Sequence, residues 1–124
     1  LDRLTEPQRN FYLNQNLERE IKNGGFNQYF TNSSGDFAHE TIAALKSIGA
    51  NRTADLLQQA INQFPNYYVP KDNAKRKEIL DIIENSANEV WDELDKAFYK
   101  YEDNLYVLNI AYLKQNRNFF WKVA

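Results

Sequence analysis

Seven carboxylates lie between residues 78 and 95 with no lysine or arginine until Lys96: Glu78, Asp81, Glu84, Glu89, Asp92, Glu93 and Asp95. Carboxylates so placed admit three kinds of work. Two could meet as a general acid and base, as in glycoside hydrolysis, but nothing in their spacing demonstrates such a pair. They could form the solvated faces of amphipathic helices. They could also present a negative surface to a basic partner, where complementary charge raises association rate and selectivity.

Other catalytic groups are scarce. His39 is the one histidine, and no H-E-x-x-H spacing exists, so a multi-histidine metal site has no ligands. Asp36 and His39 share a helix face, yet Asp36 reads better as a helix cap and His39 as a surface residue. Ser33-Ser34 lacks a G-x-S-x-G frame. The Gly24-Gly25 turn and the Asn32–Gly35 loop lack the Walker lysine and a preceding strand, so helix termination and a tight turn account for them. The absence of cysteine removes thiol catalysis, Cys-ligated zinc and disulfides together. The expectation is a protein that is not an enzyme and uses no cofactor or metal.

Charge restricts the partners. Residues 1–77 hold eight acids and ten bases, whereas residues 78–124 hold nine acids and five bases, for a formal net charge of −2. A domain that grips phosphates clusters Lys and Arg. The one basic cluster here, Lys71, Lys75, Arg76 and Lys77, reads as a solvated helix start, and direct nucleic-acid binding is not expected. No run approaches the ~20 apolar residues that cross a bilayer, and Leu1-Asp2-Arg3-Leu4 lacks the apolar stretch of a signal peptide. A cysteine-free chain fits a reducing, cytoplasmic setting and leaves a secreted one open. Without a methionine anywhere, Leu1 reads as the end of a processed or trimmed chain. Asn32-Ser-Ser34 and Asn51-Arg-Thr53 match the glycosylation sequon at the level chance allows.

The elements that must position these groups are helices. The 124 residues fit one helical domain of six to seven helices, with 43% apolar residues to fill its core. Thr5-Glu-Pro-Gln8 is a capping box with proline in the first turn. Leu13, Leu17 and Ile21 follow on one face, and Asn23-Gly24-Gly25 stops that helix. Phe26–Thr31 is a short turn with Phe26, Tyr29 and Phe30 inward. Asp36 is expected to cap a helix facing inward through Ala38, Ile42, Leu45 and Ile48 and closed by Gly49. The next starts at Asn51 and presents Leu56, Leu57, Ala60, Ile61 and Phe64 until Pro65; residues 66–71 are extended. Two amphipathic helices, about 73–85 and 88–101, are predicted with a break near Asn85-Ser86. The last, about 104–116, is apolar around its whole circumference, so it is either central to the bundle or covered by a second copy across residues 104–121. In the first helix, Glu18 is flanked by Phe11, Leu17 and Ile21; if partly buried it needs a partner, with a hydrogen bond to the Gly-Gly turn as one account and a ligand pocket as the other.

The stretch Glu20–Gly35, EIKNGGFNQYFTNSSG, resembles the signature of a bacterial family of unknown-function domains that includes a DNA-mimic protein. The family shows an N-G-G-F-x-Q-Y-F core and an N-x-x-G loop, carried here by Asn23, Gly24, Gly25, Phe26, Gln28, Tyr29, Phe30, Asn32 and Gly35. An I-G-A helix end follows at Ile48-Gly49-Ala50. Ala54, Leu57 and Ala60 match an A-x-x-L-x-x-A helix, and Leu94-Asp95 with Phe98 and Tyr99 match an L-D-x-x-F/Y element. The likeness touches residues 18 to 113 and is most specific over 23–50. It implies a helical, intracellular bacterial protein whose glycine and aromatic signature is architectural. One family member is a homodimer whose carboxylates imitate DNA phosphates and occupy a DNA-binding regulator. At −2 overall the present chain carries a weaker field than such a mimic.

Three readings follow. The first is a non-enzymatic protein-binding module that meets a basic DNA-binding regulator through the acidic residues of 78–95. The second is a small-ligand protein or enzyme with a pocket near Gly24-Gly25 lined by Glu18, Asn27 and Gln28. The third is a passive domain that self-associates through 104–121.

Overall fold

A computed structural model of the chain describes residues 3–120. Among these residues there are six α-helices and no strand: α1 (Glu6–Thr31), α2 (Ala38–Ser47), α3 (Asn51–Ile61), α4 (Asn73–Tyr99), α5 (Leu105–Gln115) and the short α6 (Arg117–Phe120). The fold is all-α, as the periodicity predicts. Helix α1 starts where the capping box places it: the Gln8 N–H donates to Thr5 Oγ1, and the Thr5 N–H donates to Gln8 Oε1 at 2.8 Å. At the glycine pair, where the sequence predicts a stop, the helical conformation breaks and a second helical stretch resumes at once across the kink, with Gly25 at φ 75°, ψ −171°. That combination is essentially closed to residues with a side chain.

Helices α1, α2, α3 and α4 enclose one contiguous core. Its centre is aromatic: Phe30 lies against Phe64 at 5.0 Å and Trp91 at 5.1 Å between ring centroids. The indole N–H of Trp91 donates to the Ala60 carbonyl, so this large side chain is buried without an unpaired donor. Gly49 ends α2 at φ +82°, and the Ala50 N–H returns to the Leu45 carbonyl.

Several expectations are corrected. The two helices forecast over 73–85 and 88–101 are one continuous helix. Asn85 and Ser86 are only mildly unfavourable in a helix interior; the packing of Leu80, Ala87, Trp91, Leu94 and Phe98 along one side outweighs them. Asp36 does not cap α2, which begins from Phe37 without a side-chain cap, because a 3-10 turn over Ser33–Phe37 already leads into it. Nor are residues 66–71 extended throughout: a 3-10 turn spans Pro65–Tyr67, with Asn66 and Tyr67 at positive φ. His39 is half-buried rather than on the surface; its Nε2 accepts the Val69 N–H and its ring stacks on Tyr68.

Arg76 departs furthest from its expected place on a solvated helix start. It is completely buried. Its Nε donates to the Phe30 carbonyl at 2.6 Å, Nη1 to Pro70 and Lys71, and Nη2 to Asn32, while Nη2 pairs with Asp36 at 2.8 Å. The guanidinium thus closes the carbonyl end of α1, the 3-10 turn and the entry to α4 around one point. Gly35 makes room for it, since a Cβ there would stand 3.0 Å from Arg76 Nε and from the Phe30 backbone.

Helix α5 is not the central helix. It packs on α1 and buries only Leu105 and Asn109, leaving Tyr106 65% and Val107 56% exposed. A helix that is apolar on every side has no sequence-encoded direction, and among the described residues its partners are α1 and the short α6. Trp121, at the edge of the proposed self-association segment, lies outside the described residues.

Candidate functional site

Because α4 is unbroken, its carboxylates share one axis. At ~100° per residue, Glu78, Asp81, Glu89, Asp92 and Glu93 fall within an arc of about 120°. All five are exposed. They extend over about 22 Å at ~1.5 Å rise per residue. Among the described residues only Glu93 of these has an ion pair, with Lys96 at 3.2 Å, both side chains well exposed. Such a pair contributes little in water.

The other two acids of the run turn toward α1. Glu84 is exposed and accepts from Asn27 Nδ2, which also donates to Asn88. Asp95 is half-buried: its Oδ1 accepts the Phe26 N–H at 2.9 Å, and a Cβ on Gly25 would stand 2.2 Å from its Oδ2. One helical turn on, the Tyr99 hydroxyl donates to the carbonyls of Ile21 and Lys22. The bend at Gly24-Gly25 frees N–H groups on one side and carbonyls on the other, and α4 supplies a carboxylate for the former and a phenol for the latter. The N-G-G-F and L-D-x-x-F/Y elements are therefore two halves of one joint. Burial, opposed by the Phe26 N–H and aided by nearby Asp92, raises the Asp95 carboxyl above its ordinary value of 3.8.

The turn is thus served by Asp95 and not by Glu18. Glu18 instead lies 3.6 Å from Lys22 and lines a hollow of about 50 Å³ between α1 and α5, with Phe11, Gln15, Tyr106, Asn109 and Ile110. Gln28 donates to Glu20, and Asn27 is held by α4. The three polar groups named for a pocket near the glycines do not converge. Asp36 and His39 are likewise engaged elsewhere, with Arg76 and Val69. Among the described residues no three His, Asp or Glu side chains cluster as a metal site would require, and no helix is long and apolar enough to cross a membrane.

Sequence reasoning missed two structural carboxylates, Asp95 and Asp103. The latter accepts from the Thr53 N–H at 2.7 Å and from its hydroxyl, capping α3 from 50 residues away. Local spacing carries no signal for a cap delivered across the fold.

A family profile described as DMP19-like protein matches residues 2–116. The chain belongs to the DMP19-like family. No curated protein and no solved structure matched it. The matched span takes in α1 to α5, so the DMP19-like assignment covers both the bent α1 and the acidic α4.

Proposed function

We propose that this DMP19-like chain is a non-enzymatic protein-binding module that occupies a basic, DNA-binding protein through the exposed carboxylates of α4. The observation that carries this reading is their alignment on one uninterrupted helix, almost free of compensating cations. Five exposed acids, Glu78, Asp81, Glu89, Asp92 and Glu93, share one face over about 22 Å of axis, one per roughly 5 Å, with Glu84 beside them on the α1 side. Duplex DNA carries a charge per ~1.7 Å, or ~3.4 Å along each strand. The stripe thus approaches the linear charge of one strand. Its resemblance to a family with a DNA-mimic member supports the same reading, and a surface of this kind needs no catalytic group.

The test is displacement of labelled duplex from a panel of purified helix-turn-helix domains, followed by fluorescence anisotropy. The chain is expected to release duplex from at least one domain, less effectively as salt rises. Reversing Asp81, Glu84, Asp92 and Glu93 to lysine should abolish release. Undiminished release by the reversed variant at ordinary salt would overturn the proposal.

A second feature favours self-association as well. Tyr106, Val107 and Phe119 leave an apolar face uncovered on α5 and α6, and we place a homodimer contact on residues 104–121. Light scattering over a wide concentration range should show dimer; monomer throughout would remove this contact.

A further inference from the structure

The acidic stripe of α4 is interrupted. Between Asp81 and Glu89, about 12 Å along the axis, Glu84 turns aside toward Asn27 of α1, and the face shared by the other five acids carries the uncharged Ile82 and Asn85. Ile82 is 83% exposed, the most exposed large apolar side chain among the described residues. The exposed Asn85 amide makes no hydrogen bond among the described residues, whereas neighbouring Ser86 turns its hydroxyl back to the Ile83 carbonyl. Along one line the helix therefore presents two carboxylates, a methyl-bearing group beside a free amide, then three carboxylates.

Duplex DNA shows a comparable order to a protein that reads it. Phosphates border a major groove ~12 Å wide, and its floor offers thymine methyl groups together with amide-like donors and acceptors on base edges. Phosphates position a reader, and base edges are what it recognises.

We infer that the Ile82–Asn85 window takes the place of a base edge, received by base-reading side chains of a folded DNA-binding domain whose phosphate-binding Lys and Arg engage the flanking carboxylates. This deepens the function proposed above and rests on it. The fitting partner has a preformed apolar seat beside polar side chains, ringed by cations. A flexible polycation offers the charges and no seat.

The displacement assay separates the two. With a helix-turn-helix domain that the wild type strips from duplex, Ile82→Ala is expected to weaken competition about tenfold, the size of losing roughly two buried methylene groups. Its dependence on salt should be unchanged, because no charge is lost. Asn85→Ala should weaken it several-fold, and Gln59→Ala, on the exposed face of α3, should leave it unaltered. Poly-lysine as the probe should bind wild type and Ile82→Ala alike. Circular dichroism checks each fold, and alanine at these exposed positions suits a helix. If Ile82→Ala and Asn85→Ala compete like wild type while the four-lysine variant fails, the window is not read and the charge-based function stands. If the four-lysine variant also competes like wild type, or no domain is released by the wild type, both proposals fall.

Discussion

Replacing Arg76 with methionine is expected to destabilise the fold by about 3–5 kcal/mol, the usual consequence of removing one member of a buried charge pair. Methionine nearly preserves the packed stem, so the loss isolates the guanidinium. Without it, the carbonyls of Phe30, Asn32 and Pro70 and the carboxylate of Asp36 lose their donor together, and each buried orphan carries its own desolvation cost. Arg76→Lys should recover only a fraction, because a point ammonium cannot address acceptors spread around a planar fork. Adding Asp36→Asn to Arg76→Met should return part of the loss by removing the unpaired charge. Urea denaturation of the three variants measures these differences; a change below about 1 kcal/mol for Arg76→Met would contradict the clamp assigned to it.

Gly25→Ala should be comparably damaging, by roughly 3–5 kcal/mol. Its backbone lies in a region reserved for glycine, at a cost of about 1–3 kcal/mol for any other residue. The new methyl group would also drive Asp95 from the Phe26 N–H, a charge-assisted bond of about 1.5–3 kcal/mol. Gly49→Ala is the control: its φ is also positive, but a Cβ there meets nothing within 4 Å, so it should cost about 1–2 kcal/mol. Asp95 adds a signature in pH. Its folded carboxyl titrates above the unfolded value of 3.8, so between those two points the folded chain binds more protons than the unfolded one. Stability from this group is full at the lower end and declines as pH rises through the folded value. Asp95→Asn keeps the acceptor for Phe26 and abolishes the titration, so the stability difference between wild type and this variant should drift in that window and level off above it.

The contrast between these residues and the acidic stripe shows where sequence reading succeeds. Thr5, Pro7 and Gln8 announce the start of α1 because all participants lie within four residues. Gly24-Gly25 announces, by the same locality, the end of the first helical stretch, and the chain resumes as helix just past the kink at Gly25. Asp95 and Asp36 are illegible for the opposite reason: their partners, Phe26 and Arg76, lie 69 and 40 positions away, and a carboxylate on a helix reads the same whether it meets water or a distant backbone. Arg76 looked like one of four solvated cations because composition cannot show which one turns inward. The break predicted near Asn85-Ser86 followed weak propensity that core packing overrode. Helix α5 offered no periodicity from which to choose a buried side.

The divided character of α4 has a consequence for how this scaffold can diversify. The inner side of the helix holds Trp91, Leu94, Asp95 and Phe98, and with Tyr99 it closes the α1 bend, whereas Asp81, Ile82, Asn85, Glu89 and Asp92 make no bond to the rest of the described chain. Mutations on that outer line are nearly free of folding cost, so lineages with the same architecture can rewrite it quickly. Under the function proposed above, the inner line should be inherited almost intact while the outer one changes with the partner, which makes likeness in fold a poor guide to likeness in target.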